Sequence, residues 1–329
     1  MANLKTLSGF PIQNLTSDPV PYAQALADNP YAGVWSSGDN LNQARYSLAG
    51  AGTQAAGLVF GGYSAPSRRN ETEEYNGTAW SEQNNLNLAR NELTGAGTQT
   101  AALAAGGNGP PVTNNVELYN GSSWTETTEL NSARDSLGST AVGAVNTAVF
   151  VMGGGSPGAT NKDLVESWNG SAWTETTETN TARYLNASTG TTTSGITMGG
   201  DADPPPRVTN TEIWNGSSWT ESGDLSAATS RQGASGVSST AALSFGGETG
   251  PAPNYTAVTE SFNGSSWTTG NSMSTARYAL TGTGGAAPNA VALAAGGYST
   301  SSSGMANTEE WTFSGLNPAT TPAADYSDA

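Results

Sequence analysis

One motif returns six times along the chain, and that return limits the fold more than any other feature. Tryptophan recurs at Trp35, Trp80, Trp124, Trp173, Trp219 and Trp267, at intervals of 45, 44, 49, 46 and 48 residues. Glycine pairs keep the same phase at 61–62, 106–107, 153–154, 199–200, 246–247 and 296–297. An arginine (Arg45, Arg90, Arg134, Arg183, Arg231, Arg277) and a glutamate (Glu73, Glu117, Glu166, Glu212, Glu260, Glu309) fall in every unit. Two residues past each glutamate stands an aromatic: Tyr75, Tyr119, Trp168, Trp214, Phe262 and Trp311. Five markers with one count exclude coincidence. A unit of this size is a single supersecondary piece that buries its apolar faces by stacking on its neighbours.

Within a unit the residues divide into four strand-sized pieces. In the second, strand a runs from Arg90 to Ala96 and strand b is the apolar run from Thr100 to Ala105, closed by the glycine pair. Strand c spans Asn115 to Tyr119 and strand d begins at Trp124. Between c and d lies Asn120-Gly121, repeated at 76–77, 169–170, 215–216 and 263–264. Asn-Gly favours a type I′ hairpin, in which both central residues have positive φ. The same tripeptides fit a glycosylation sequon; the hairpin accounts for them without sugar.

Four short strands per unit, six times over, predict an all-β, six-bladed propeller with four-stranded blades. The glycine pair after strand b, the aromatic in c and the tryptophan in d resemble the kelch repeat, over roughly residues 33–315. The phase also predicts closure. The last unit has no tryptophan strand after Trp311, whereas Gly33-Val34-Trp35-Ser36 at the other end is an unclaimed strand d. The N-terminal strand around Trp35 therefore completes the last blade and removes the free sheet edges. The chain then reads as three parts: an N-terminal arm (1–32) for assembly contacts, the propeller (33–315), and an extended C-terminal tail (316–329).

A residue repeated by symmetry is expected to serve each blade. The tryptophans are expected to wedge between neighbouring blades, each burying about 150–250 Å². The glycines supply positive φ or close approach. The arginines and glutamates are expected to pair; the alternative is a ring of arginines binding an anion in the axial channel. Asp201 and Asp203, beside Pro204-Pro205-Pro206, carry oxygens of the kind calcium takes, but in no calcium-loop spacing. They are read as solvated loop, and no metal or cofactor is assigned.

Composition narrows the function. The chain lacks cysteine and histidine, so disulfides, thiolate and imidazole catalysis and the usual zinc and copper sites are excluded. A net charge of −16 opposes binding to nucleic acid, and no apolar run approaches the length of a membrane span. The chain is therefore expected to be soluble. No catalytic residue is assigned and the protein is read as a non-enzyme. Kelch-type sugar oxidases need histidine and a cysteine-linked tyrosine, both missing here.

The loops after the glycine pairs vary, whereas the c–d turns are nearly uniform. In an up-and-down blade the b–c and d–a loops share one face, and variation there marks a recognition surface. Tyr63, Arg68, Arg69, Arg207, Tyr255 and Tyr298 are the candidate contacts on it, being the residue types that dominate binding energy.

The opening LKTLSGFPIQNLTSDP, then WSSGDNLNQARYSLAGAGTQAAGLVFGG and EEYNGTAW, resembles kelch-like virion proteins of marine tailed phages, including phages of cyanobacteria. The resemblance implies a structural, decoration or tail-fibre component located on the virion. Its arms would contact other virion proteins and its exposed face a host-surface glycan or receptor. A free carbohydrate-binding lectin is the alternative, and a glycan-cleaving propeller a more distant one.

Overall fold

A computed structural model describes residues 33–140, 146–155, 163–202, 206–250, 254–284, 291–299 and 304–313. The proposed arms, 1–32 and 316–329, lie outside the described residues. The described chain contains no helix and forms six four-stranded antiparallel sheets arranged as a β-propeller. Blade 1 consists of Ala49–Gly52, Gly57–Phe60, Thr72–Tyr75 and Trp80–Gln83, in that spatial order. The inner strands of blades 2 to 6 are Thr94–Thr98, Gly138–Ser139, Ala187–Gly190, Gly233–Ser238 and Thr281–Thr283. These strands are rich in glycine, alanine and serine because six of them converge on one axis. A Cβ on Gly95 would sit 2.6 Å from Gly50 O of the preceding blade.

Closure follows the phase of the repeat. Val34–Ser37 pairs antiparallel with Thr308–Thr312, placing Trp35 opposite Trp311, and supplies the outer strand of blade 6. One sheet thus joins both ends of the ring.

The core lies between blades rather than within them. Leu58 and Phe60 of blade 1 pack with Ala102, Tyr119 and Trp124 of blade 2, and each of the other five clusters likewise joins two neighbouring blades. The tryptophans are the wedges. Trp124 Nε1 donates to Thr72 Oγ1 of the preceding blade at 2.9 Å, and Trp80, Trp267 and Trp35 donate likewise to Thr308, Thr211 and Thr259. Where valine (Val116, Val165) replaces that threonine, Trp173 and Trp219 turn to the carbonyls of Thr128 and Thr177. Satisfying these six indole N–H groups avoids the cost of unpaired buried donors on the outer-strand tryptophans.

The c–d hairpins differ from the I′ expectation. Gly77, Gly121, Gly170, Gly216 and Gly264 have φ of +89 to +99°, but the asparagines before them are not in the left-handed region. The glycine is the first of two central residues, the sign pattern of a II′ turn. Asparagine contributes differently: Asn76 Oδ1 accepts the N–H groups of Thr78 and Ala79 at 3.0 and 2.9 Å.

The glycine pairs stitch blades together. Gly107 N donates to Arg134 O of the next blade at 2.8 Å, four counterparts donate likewise to the next repeat arginine, and Gly200 N donates to Thr229 O. Gly106 has φ +61°, and a Cβ there would lie 2.6 Å from Arg134 O.

Candidate functional site

Five repeat arginines are structural. Arg45, Arg90, Arg134 and Arg277 face Glu73, Glu117, Glu166 and Glu309 at 2.9, 3.3, 2.7 and 3.1 Å, and Arg183 contacts Glu212. All ten side chains are at most 3% exposed. Each pair ties the loop entering a blade to that blade's third strand. Arg134 Nη1 also donates to Gly153 O and Leu164 O, and Glu166 accepts the Asn131 N–H. Burial lowers all five guanidinium pKa values, Arg90 to about 10, against the partner glutamates, which raise them. These arginines face glutamates inside the blades, so the alternative of an arginine ring around the channel does not hold.

The sixth arginine does not follow the pattern. Gly200 N, which by symmetry meets the carbonyl of the arginine position, donates to Thr229 O at 2.8 Å. Thr229 therefore occupies the slot in blade 5, and Arg231 does not pair with Glu260 as the repeat suggested. The sequence carried the signal. Every other repeat arginine lies 10 residues after its tryptophan and directly after an alanine, whereas Arg231 lies 12 after Trp219, and Ala228 is followed by Thr229.

Arg231 stands instead on the face shared by the b–c and d–a loops. There Ser47, Glu92, Ser136, Leu185, Arg231 and Ala279 form a collar around the axis. All have φ between 51 and 58°, and each backbone N–H donates to the carbonyl of the preceding member at 2.7–2.9 Å, from Glu92→Ser47 round to Ser47→Ala279. Left-handed backbone costs a non-glycine residue about 1–2 kcal/mol; a closed ring of six hydrogen bonds offsets it. The residue types at these positions share no propensity, so the collar was invisible in the sequence. The opening at the collar has Leu48, Leu93, Leu137, Asn186, Gln232 and Leu280 beneath it.

Around this opening the sixfold symmetry breaks. Blades 5, 6 and 1 carry a continuous arc of half-buried tyrosines. Tyr255 stacks on Tyr278 at 4.7 Å, Tyr278 meets Tyr298 at 5.4 Å, Tyr298 meets Tyr46 at 5.2 Å, and Tyr46 meets Tyr63 at 5.4 Å. The Arg231 guanidinium lies 5.5 Å above the Tyr278 ring, is 32% exposed, and has a loose contact with Glu248 at 3.9 Å. Burial pushes the Tyr278 phenol up to about 12 and raises Tyr46 as well. Blades 2 and 3 present Asn91, Asn108, Glu92 and Asp135 at the same positions. Burial, then the nearby Asp135 carboxylate, raises the Glu92 pKa.

The structure thus gathers three of the six sequence candidates, Tyr63, Tyr255 and Tyr298, and adds Tyr46, Tyr278 and Arg231. Tyr46 and Tyr278 each follow a repeat arginine, a position the sequence reading passed over. The other candidates are clasps. Arg68 Nη2 reaches Asn108 Oδ1 of the next blade at 2.9 Å, and Arg69 lies 3.5 Å from Glu71. Arg207 bonds Ser230 Oγ and Gly250 O and contacts Glu248 at 2.8 Å and Asp201 at 3.4 Å. Asp201 therefore faces a cation of the protein itself, and Asp203 lies outside the described residues. The chain matches no protein-family model and no curated protein sequence.

Proposed function

We propose that this propeller is a display component of a phage particle, a decoration or tail-fibre protein, and that its loop face attaches to host-surface glycan. The observation that carries the attachment reading is the tyrosine arc with Arg231 at the collar. Half-buried aromatic faces are large, rigid and amphipathic, and such surfaces stack on the C–H faces of sugars at low entropic cost. Arg231 adds donors and Glu92 acceptors for hydroxyl and acidic groups. The reading is of binding rather than catalysis, and the commitment of five arginines to buried ion pairs supports it. The particle setting rests on the sequence resemblance, in which propeller proteins of this kind belong to virions.

The test has two arms. Immunogold labelling of purified particles, with an antibody against the recombinant propeller, is expected to mark the head, tail or fibre. A glycan array probed with the wild-type propeller and with a Tyr278→Ala/Tyr298→Ala variant is expected to show binding that the variant loses by at least about tenfold, the loss of one aromatic anchor or more. Absence of label and of the protein's peptides from particles would overturn the virion reading and leave a free lectin. Equal binding by both propellers would overturn the site.

A further inference from the structure

Among the described residues, blade 5 keeps the frame of the ion-pair slot without a cation in it. Gly246 N donates to Val258 O at 3.0 Å, as Gly153 N does to Leu164 O at 3.0 Å in blade 3. Gly200 N meets Thr229 O at 2.8 Å, within the 2.8–3.0 Å range of the five equivalent contacts to arginine. The Glu260 carboxylate is in register with the other five, but accepts one hydrogen bond among the described residues, from Ser226 N at 3.0 Å. Thr229 is several atoms shorter than arginine, and its hydroxyl turns back to Ala227 O at 2.9 Å. Glu260 is 6% exposed, whereas Glu73, Glu117, Glu166 and Glu212 are 0% exposed. The backbone frame is kept, and Glu260 is slightly more exposed than Glu309, at 3%, which has its arginine.

We propose that this slot is a receptor for a guanidinium group supplied from outside the chain, such as an arginine side chain of a partner protein. The five filled slots define its specificity. In blade 3 the guanidinium spends one nitrogen on the glutamate and the other on the carbonyls of Gly153 and Leu164. Blade 5 offers the counterparts: Glu260, Gly246 O and Val258 O. One carboxylate and two carbonyls are the acceptors that a guanidinium fork uses in blade 3. They fall short of the six to eight oxygens that calcium takes. The slot lies inside a blade and the tyrosine arc around the collar, so the two sites are independent.

The probe is N-acetylarginine amide, with N-acetyllysine amide as the control cation, titrated into the intact protein by calorimetry at fixed ionic strength. Wild type is expected to give a saturable isotherm for the arginine compound, weakened at least tenfold for the lysine compound. Glu260→Gln and Thr229→Arg are each expected to weaken arginine binding at least tenfold, by removing the charge and by filling the slot. The Thr229→Arg protein is also expected to melt higher than wild type, which shows that it folds. Isotherms unchanged by Thr229→Arg, or arginine and lysine compounds bound alike, would overturn the proposal, as would the absence of a saturable isotherm in wild type.

Discussion

Replacing Arg134 by alanine tests how the buried pairs hold the blades. The change leaves Glu166, which is 0% exposed, with the Asn131 N–H at 2.7 Å as its remaining donor among the described residues. Two outcomes compete for that carboxylate. If it stays charged, removing one partner of a buried pair costs about 3–5 kcal/mol. If it takes up a proton, the cost follows from an ordinary glutamate pKa near 4.3 and about 1.36 kcal/mol per pH unit, which gives about 4 kcal/mol at pH 7. The cheaper route limits the electrostatic loss to about 4 kcal/mol, or about 8 °C in Tm at roughly 2 °C per kcal/mol for a large domain.

The same reasoning fixes a pH dependence. At pH 5 the proton route costs about 1 kcal/mol. A buried carboxylate without its cation is less costly in its neutral form, so the recovered stability is present at low pH and lost as pH rises. Urea unfolding at pH 7 and pH 5, with m unchanged, is expected to show a deficit that falls by about 3 kcal/mol on acidification. A double variant, Arg134→Met/Glu166→Met, removes both charges and is expected to lose less than the single change. A single-variant deficit below about 1 kcal/mol, or one equal at both pH values, would refute the reasoning.

Three further outcomes follow from the same contacts. Deleting residues 1–37 removes the strand that pairs with Thr308–Thr312, so the melting temperature is expected to fall sharply; an unchanged melt would show that ring closure adds nothing. Trp124→Phe and Thr72→Val each break the Nε1–H···Oγ1 bond between blades 1 and 2. Each is expected to cost about 1 kcal/mol, and the double variant less than their sum, as measured in a double-mutant cycle. Burial raises Tyr278 to about 12, so its stabilising contribution is complete below pH 10, the ordinary phenol value, and is lost between about 10 and 12. Phenolate absorbance is expected to show a late-titrating tyrosine that Tyr278→Phe removes.

The sequence made the symmetric part of the molecule legible because symmetry repeats its signal. Six copies of Trp, Gly-Gly and Glu fixed the blade count, and an orphaned Trp35 strand fixed the closure. What sequence could not supply was geometry set by several blades together. The collar at Ser47, Glu92, Ser136, Leu185, Arg231 and Ala279 depends on six backbones meeting in one ring, and no residue type marks it. The hairpins show a different limit: Asn-Gly signalled a tight turn, but the asparagine side chain caps the loop instead of adopting positive φ. Arg68 and Arg207 looked like free contacts because their partners, Asn108 and Glu248, belong to the next unit in the chain.

The arginine of blade 5 joins the two halves of the argument. Read by count, Arg231 belongs with the structural set; read by its offset from Trp219, it does not. That two-residue displacement has two consequences in the fold. It takes a cation away from Glu260, and it puts one on the collar beside Tyr278. A repeat protein keeps its symmetric positions because each blade needs them for stability, so a departure carries a cost unless something offsets it. Here the cost is a buried carboxylate without its guanidinium, and the gain is an arginine, 32% exposed, over the Tyr278 ring of the tyrosine arc. If the displacement serves recognition, Arg231→Gln should weaken ligand binding with little change in stability. Thr229→Arg in the same protein should raise stability without restoring that binding. A stability loss from Arg231→Gln as large as that from Arg134→Ala would return Arg231 to the structural set and remove it from the site.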